Sequence, residues 1–344
     1  MRLSLVVCLL LAALAACTSP PADYRQQFFA MGTLVEVETW GVPRDQAVAA
    51  VDAVRQRLTA FDHKWNPWGD GELARVNAAL AKGRSMRLSA AMARGVRQAM
   101  GLAEASGERF DPAIGGLIRL WGFDADERPD GPPPAQDAIA RLVATRPRMS
   151  DLHLAGRQLS ADKTDIVLDF GGFAKGLAVD RAIEVLRSHG VNNAIVNAGG
   201  DLRAIGRHGD RPWRIGIRNP RGPGIMASLE VSGDQSVFTS GDYERYFTWK
   251  GRRYHHILNP RTGYPSEGVT SATVVHANAA TADAAATALM VAGPDDWVAV
   301  ARAMHLKQVM LVDSDGTVQL SPAMAACIEF PGDQPPVTRQ GPPL

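Results

Sequence analysis

Between Leu34 and Thr39 the chain alternates Val35 and Val37 against Glu36 and Glu38, the pattern of a half-buried strand. The period then lengthens. From about Asp45, Val51, Val54 and Leu58 fall on one helical face, and Met92, Val96 and Met100 do so after Ser89, a residue suited to an N-cap. Ile166, Leu168 and Phe170 oppose Val167 and Asp169, predicting a strand over Asp165 to Phe170. Leu177, Ala178, Ala182, Val185 and Leu186 predict a helix over Ala174 to His189. After Asn193 short strands dominate (AIVNAGGDLRAIG, WRIGIRN, SLEVSG, SATVVHA), each bounded by Gly, Pro or Asn, and helices are predicted from about Thr281 and Asp295. Strands grouped among helices without strict βαβ alternation predict an α+β fold of mixed, largely antiparallel sheets with packed helices.

The segment DADERPDGPPPAQD, 124–137, is the strongest internal loop signal; it either separates two lobes or decorates one. There is no internal repeat. A chain of 344 residues, 46% apolar, can bury one large domain or two closely packed ones, here expected over 28–330. The tail 331–344, PGDQPPVTRQGPPL, reads as disordered. At the other end, MRLSLVVCLLLAALAAC has one arginine and an apolar run too short to span a bilayer, which predicts a signal peptide over 1–16. Leu14, Ala15 and Ala16 before Cys17 resemble a bacterial lipobox, so the mature chain is expected to begin at a lipidated Cys17 on a tether, 17–27. Cys8 would be lost with the leader, Cys327 would be the remaining ordinary thiol, and no internal disulfide could form. A net charge of +1 with interspersed signs leaves no basic footprint for nucleic acid.

Three segments carry chemistry. In DFGGFAKGLAVD, Asp169 to Asp180, a glycine turn leads into a helix, and unpaired N–H groups at a helix start favour an anion such as phosphate. The turn lacks both the P-loop ending and the GxGxxG spacing. Only six of the basic residues are lysine, which makes Lys175 in this turn a pointed choice. In YHHILNPRTGYP, Tyr254 to Pro265, adjacent strand residues face opposite ways, so at most one of His255 and His256 can face a shared pocket as acid or base. No Cys or spaced His beside them supports a zinc site. In TADAAATALMVAG, Thr281 to Gly293, Asp283 and Thr287 share a helix face, and such an oxygen pair suits Mg²⁺; equally, Asp283 could complement the helix dipole while Thr287 packs.

Taken together with MGT (Met31 to Thr33), FDPAIGGLIRLWGF (Phe110 to Phe123), NAGGDL (Asn197 to Leu202) and TSGDYERYF (Thr239 to Phe247), these segments resemble, from about Phe28 to Leu320, the ApbE-type lipoproteins, which are FAD:protein FMN transferases. The resemblance implies an ApbE-like, T-fold-related architecture. It implies Mg²⁺-dependent transfer of FMN from FAD to a threonine or serine hydroxyl of an exported subunit of an electron-transfer complex, with AMP as the second product. FAD contacts are implied at Met31, Trp65, Arg109, Phe110, Asp111, Gly171, Leu177 and Ile257, and metal ligands at Ala174 (through its carbonyl), Asp283 and Thr287. Trp68 rivals Trp65, because WNPWGDGEL carries a short insertion relative to the family. Asn259 stands where many relatives have aspartate, which tells against an acid-base role there. Transfer chemistry needs a proton acceptor, for which His256 is the candidate, and Lys175 can add charge at the phosphates. The implied location is the periplasmic face of a bacterial membrane, the inner one by family analogy. An FAD pyrophosphatase releasing FMN and AMP, and a non-catalytic flavin-binding lipoprotein, are the competing readings.

Overall fold

The computed structural model describes residues 22–125, 131–332 and 335–344. The leader, Cys17 and the centre of the 124–137 loop lie outside these residues. A nine-stranded sheet forms the backbone of the domain, in the order Ala22–Ala30, Thr33–Val42, Ala194–Ala198, Asp201–Gly206, Gly233–Gly241, Val269–His276, Gln308–Asp313, Val318–Leu320 and Thr338–Gln340. Each neighbouring pair is antiparallel except the last, which is parallel. Helices Arg44–Trp65, Ala90–Ala105, Ala174–Ser188 and Ala279–Ala303 and the sheet enclose the main core. A second core, with Trp213, Ile215, Leu229 and Met310, lies between the large sheet and the small sheet formed by Trp213–Arg218, Ile225–Val231 and Ile328–Glu329. The α+β class and the antiparallel bias are therefore as the sequence pattern predicts. Among the described residues no helix is long and apolar enough to cross a membrane.

Three expectations are corrected. Residues 165–170 bury Ile166, Leu168 and Phe170 as predicted but join no sheet. Their backbone is met on one side by Pro112 to Gly115, with Gly115 N donating to Val167 O (2.9 Å) and Asp169 N to Pro112 O (2.8 Å), and on the other by a side chain, the Asn77 amide, which donates to Leu168 O (3.0 Å) and accepts from Leu168 N (2.8 Å). The first strand begins at Ala22, inside the expected tether, because Tyr24 to Ala30 pair in register with Thr39 to Thr33. The tail is ordered at Thr338–Gln340, which adds in parallel to Val318–Leu320; an edge strand offers unpaired N–H and C=O groups that even a proline-rich segment can fill.

Two helices position the site. The alanine-rich helix Ala279–Ala303 breaks at Gly293 (φ 77°) before Pro294, so it is two helices in tandem, close to the predicted starts. Its first turn lies against the first turn of Ala174–Ser188. A Cβ on Gly176 would stand 2.3 Å from Ala279 O, so only glycine permits that approach. Gly101, in helix Ala90–Ala105, faces open space. Gly176→Ala should therefore lower stability by about 1–3 kcal/mol through overpacking, whereas Gly101→Ala should raise it by about 0.5–1 kcal/mol. Urea unfolding of the two variants checks this, and equal signs would contradict it.

Candidate active site

The two helix starts cap each other. Asp180 in Ala174–Ser188 accepts from Ala279 N (3.0 Å), Ala280 N (3.1 Å) and Asn278 Nδ2 (2.8 Å), while Arg203 pairs with it from the sheet. In return Asp283 Oδ2 accepts from Gly176 N at 2.9 Å. These N–H groups have no partner inside their own helices, so each carboxylate satisfies donors the other helix leaves open.

Around this junction the sequence-selected segments converge. Asp169 accepts from Gly171 N at 2.7 Å, an Asx turn that shapes the glycine loop. Gly172 passes so close to Thr287 that a Cβ would lie 2.7 Å from its hydroxyl. Thr287 Oγ1 is 3.3 Å from Ser240 Oγ, and Lys175 Nζ is ion-paired with Asp201, whose other oxygen accepts from Thr239 N at 2.9 Å. Met31 and Gly32 both have positive φ (56° and 66°) in the two-residue turn between the first strands, held by a 2.9 Å bond from Met31 N to Asp62. The NAGGDL turn lies against the same place, since a Cβ on Gly199 would touch Thr33.

Burial sets the charges. Burial pushes the Asp283 carboxyl up to about 7, with Lys175 opposing and Asp201 reinforcing the shift. Lys175 is itself held well above the usual lysine range by Asp201 and Asp283, against its burial. Burial and the Arg245 guanidinium push His256 down to about 3. His256 and His255 do face different partners. The His255 ring is used up, with Nε2 donating to Ser266 O (2.8 Å) and Nδ1 accepting from Ile257 N (3.3 Å). His256 Nδ1 is 3.2 Å from Arg245 O; assigned as the donor there, it leaves Nε2 as acceptor.

The implied flavin contacts divide. Trp65, Phe110, Asp111, Leu177 and Ile257 are each 5% exposed or less. Trp65 stacks on Phe61 (5.3 Å) and meets Phe170 edge-on, so its ring belongs to the core beneath the glycine turn. Trp68 is half-buried, with the Arg119 guanidinium 4.7 Å from its ring. Arg109 reaches Asp296 at 2.7 Å, and Gly171 is exposed. The Asp111 carboxylate turns inward to Ala113 N (2.9 Å) and Met149 N (3.1 Å). Sequence reasoning did not single out Asp62, Asp180, Asp201, Ser240 or Arg245. Four of these five lie within or at the end of segments quoted above, but each earns its place by a contact 38 to 122 residues away or on another element.

The sequence model of the ApbE family matches residues 31–311. The chain belongs to that family. An FAD:protein FMN transferase of Rhodobacter capsulatus is 39% identical over 313 residues, covering 91% of this chain and 60% of the relative. The FAD:protein FMN transferase of Treponema pallidum is 31% identical, covering 93% of each. The chain thus spans less than two thirds of the Rhodobacter relative's length and nearly all of the Treponema one's. Among solved structures, the ApbE protein of Thermotoga maritima superposes with a TM-score of 0.82 at 30% identity, over 89% of this chain and 99% of that one. The flavin transferase ApbE of Vibrio cholerae gives 0.79 at 28% identity, over 90% and 100%.

Asp111 yields a test within this ApbE fold. Burial raises its carboxyl from 3.8 to about 7, with Glu108 and Asp151 adding to the shift and the two N–H bonds opposing it. A carboxyl raised on folding contributes stability that is full below pH of about 4 and is lost as pH rises through about 7. Asp111→Asn cannot titrate. Its stability relative to the parent should therefore improve between pH of about 4.5 and 8, by on the order of 3 kcal/mol. Urea titrations of both proteins across that range measure it; parallel profiles would show the carboxyl unshifted.

Proposed function

We propose that this chain transfers FMN from FAD to a hydroxyl of an acceptor protein, releasing AMP. One observation carries the reading: the glycine turn, Asp283 and Thr287 meet at a junction of two helix starts, with Lys175 beside it and a neutral histidine, His256, near Arg245. The names of the relatives and of the solved structures point the same way.

The residues also fit Mg²⁺. Ala174 offers a carbonyl, Asp283 a carboxylate and Thr287 a hydroxyl, an all-oxygen set for a hard cation, and glycine at 172 leaves space before Thr287 that a side chain would fill. When bound, the ion would neutralise charge on the FAD diphosphate. Lys175 adds to that neutralisation from the protein side. In the transfer, the acceptor hydroxyl oxygen forms a bond to the phosphorus of the FMN half. The bond from that phosphorus to the bridging oxygen breaks, and AMP leaves with the oxygen and its electron pair. The hydroxyl proton passes to Nε2 of His256, which Nδ1 orients through Arg245 O. The low proton affinity of the resting imidazole keeps that lone pair free, and an arriving diphosphate counters Arg245 and Lys175 and raises its basicity.

The test is to incubate the protein with FAD, Mg²⁺ and a threonine-containing acceptor domain, then weigh the acceptor and chromatograph the nucleotides. A flavinylated acceptor supports transfer; free FMN with AMP would make the protein a pyrophosphatase, and unchanged FAD a binder. His256→Ala should lower transfer about 10²- to 10⁴-fold with FAD binding nearly intact, and His255→Ala far less. In the same assay Asp283→Ala should abolish Mg²⁺-dependent transfer while FAD binds within about tenfold. Full activity of that variant without added metal would remove the cation from the mechanism.

We also propose that the protein is exported and held by lipid on Cys17 to a bacterial membrane facing the periplasm, where exported electron-transfer subunits would be its acceptors. The support is the leader sequence MRLSLVVCLLLAALAAC. Cys17→Ser should release the protein from membranes with its activity unchanged, and retention after carbonate washing would overturn the anchor.

A further inference from the structure

Away from the glycine turn, three residues distant in sequence converge on the outer face of the first two strands. Asp23 and Glu38 come from Ala22–Ala30 and Thr33–Val42, and His208 from the turn after Asp201–Gly206. His208 Nε2 stands 3.0 and 3.2 Å from the two Asp23 carboxylate oxygens and 3.4 Å from Glu38 Oε1. One donor atom from each residue lies within 4.8 Å of the other two, the one such grouping of three His, Cys, Asp or Glu donors found among the described residues.

The arrangement is held in place from several sides. The imidazole lies against Trp40, with centroids 4.4 Å apart, and edge-on to Trp213 at 4.9 Å. Its own backbone N–H donates to Arg211 O at 3.0 Å. The pairing register of the two strands shifts between Ala22 and Tyr24, and Gly41 opposite has φ 79°; a bulge of this kind re-aims the side chains beside it. Arg25, two residues beyond Asp23 and directly across from Glu38 in the pair, makes its ion pair with Glu36, and its charge acts on Glu38 from the side. Two carboxylates therefore converge on one imidazole that can carry a single positive charge at most.

We propose that Asp23, Glu38 and His208 bind one divalent transition-metal ion, zinc being the best match. A mixed nitrogen and oxygen set selects such an ion over Mg²⁺ or Ca²⁺, which take oxygen alone. Donors around a tetrahedral ion with bonds of about 2.0–2.1 Å stand about 3.3 Å apart, and the His208 spacings of 3.0–3.4 Å match that edge. Water would complete the fourth position. The ion would tie the first residues of the edge strand, just downstream of Cys17, to the body of the domain, apart from the flavin site.

The experiment uses the full chain in detergent, stripped with chelator, and its Asp283→Ala variant. Co²⁺ is titrated in and the visible absorption of four-coordinate cobalt is read, followed by competition with Zn²⁺. One equivalent should bind in both proteins, displaced by stoichiometric Zn²⁺ and not by millimolar Mg²⁺. His208→Gln and Asp23→Asn should each weaken binding by roughly tenfold or more, with FMN transfer unchanged. Zn²⁺ should raise the melting temperature of the parent and not of these two variants. Asp23 is half-exposed, so Asp23→Asn carries the test if His208→Gln does not fold. Absence of the cobalt spectrum, or equal affinity in both variants, would overturn the site and leave a histidine between two carboxylates as its only content.

Discussion

Two helix N-termini packed side by side bring their partial positive charges together, and this fold places them in contact. Reciprocal capping makes that arrangement stable: Asp180 takes the first N–H groups of the alanine-rich helix, and Asp283 takes Gly176 N in return. Gly176 is the steric condition for it, and Arg203 balances the charge that Asp180 brings inside. Because Asp283 caps Gly176 N and is also the carboxylate proposed to hold the cation, a change at that residue touches both the fold and the proposed chemistry. Lys175 and Asp201 extend the same charge pattern into the sheet.

Much of this was legible in the chain itself. Period-2 and period-3.6 patterns located the strand at Val35 and Val37 and the helices that bury Val54, Met92 and Ala182, because those faces are dictated by water alone. Motif wording located Asp283, Thr287 and the glycine turn. Other features depended on partners far along the chain. The alternation at Ile166 to Phe170 correctly reported which side is buried, but could not report that a single bridge to Ile114 and the Asn77 amide would take the place of a sheet. The proline-rich tail lacks the composition of a strand and acquires that geometry only from the open edge at Val318–Leu320. Asp23, Glu38 and His208 have no spacing to read, since a bulge and a tryptophan pair bring them together.

The two histidines divide their roles at a strand end and not by alternation within it, since the strand closes at His255 and His256 lies in the bend that follows. His255 is locked by Ser266 and Ile257 and can do little but hold the NPRTGYP turn, whereas His256 keeps one nitrogen available beside Arg245. Trp65 is a comparable case. Its stacking on Phe61 and contact with Phe170 support the glycine turn from below, so a residue implied as a ligand contact is also part of the floor that fixes the loop's height.

The order of strands in the large sheet sets a distance. The chain enters at one edge, through Ala22–Ala30, and ends at the other, through Thr338–Gln340, while Asp201 and Ser240 lie on the fourth and fifth strands. With neighbouring strands about 4.8 Å apart, the reacting centre stands about 15–20 Å from the entry edge, measured across the sheet. Were that edge tied to a surface, the centre would stand no more than about 20 Å of sheet from the tie, whichever way the domain turned.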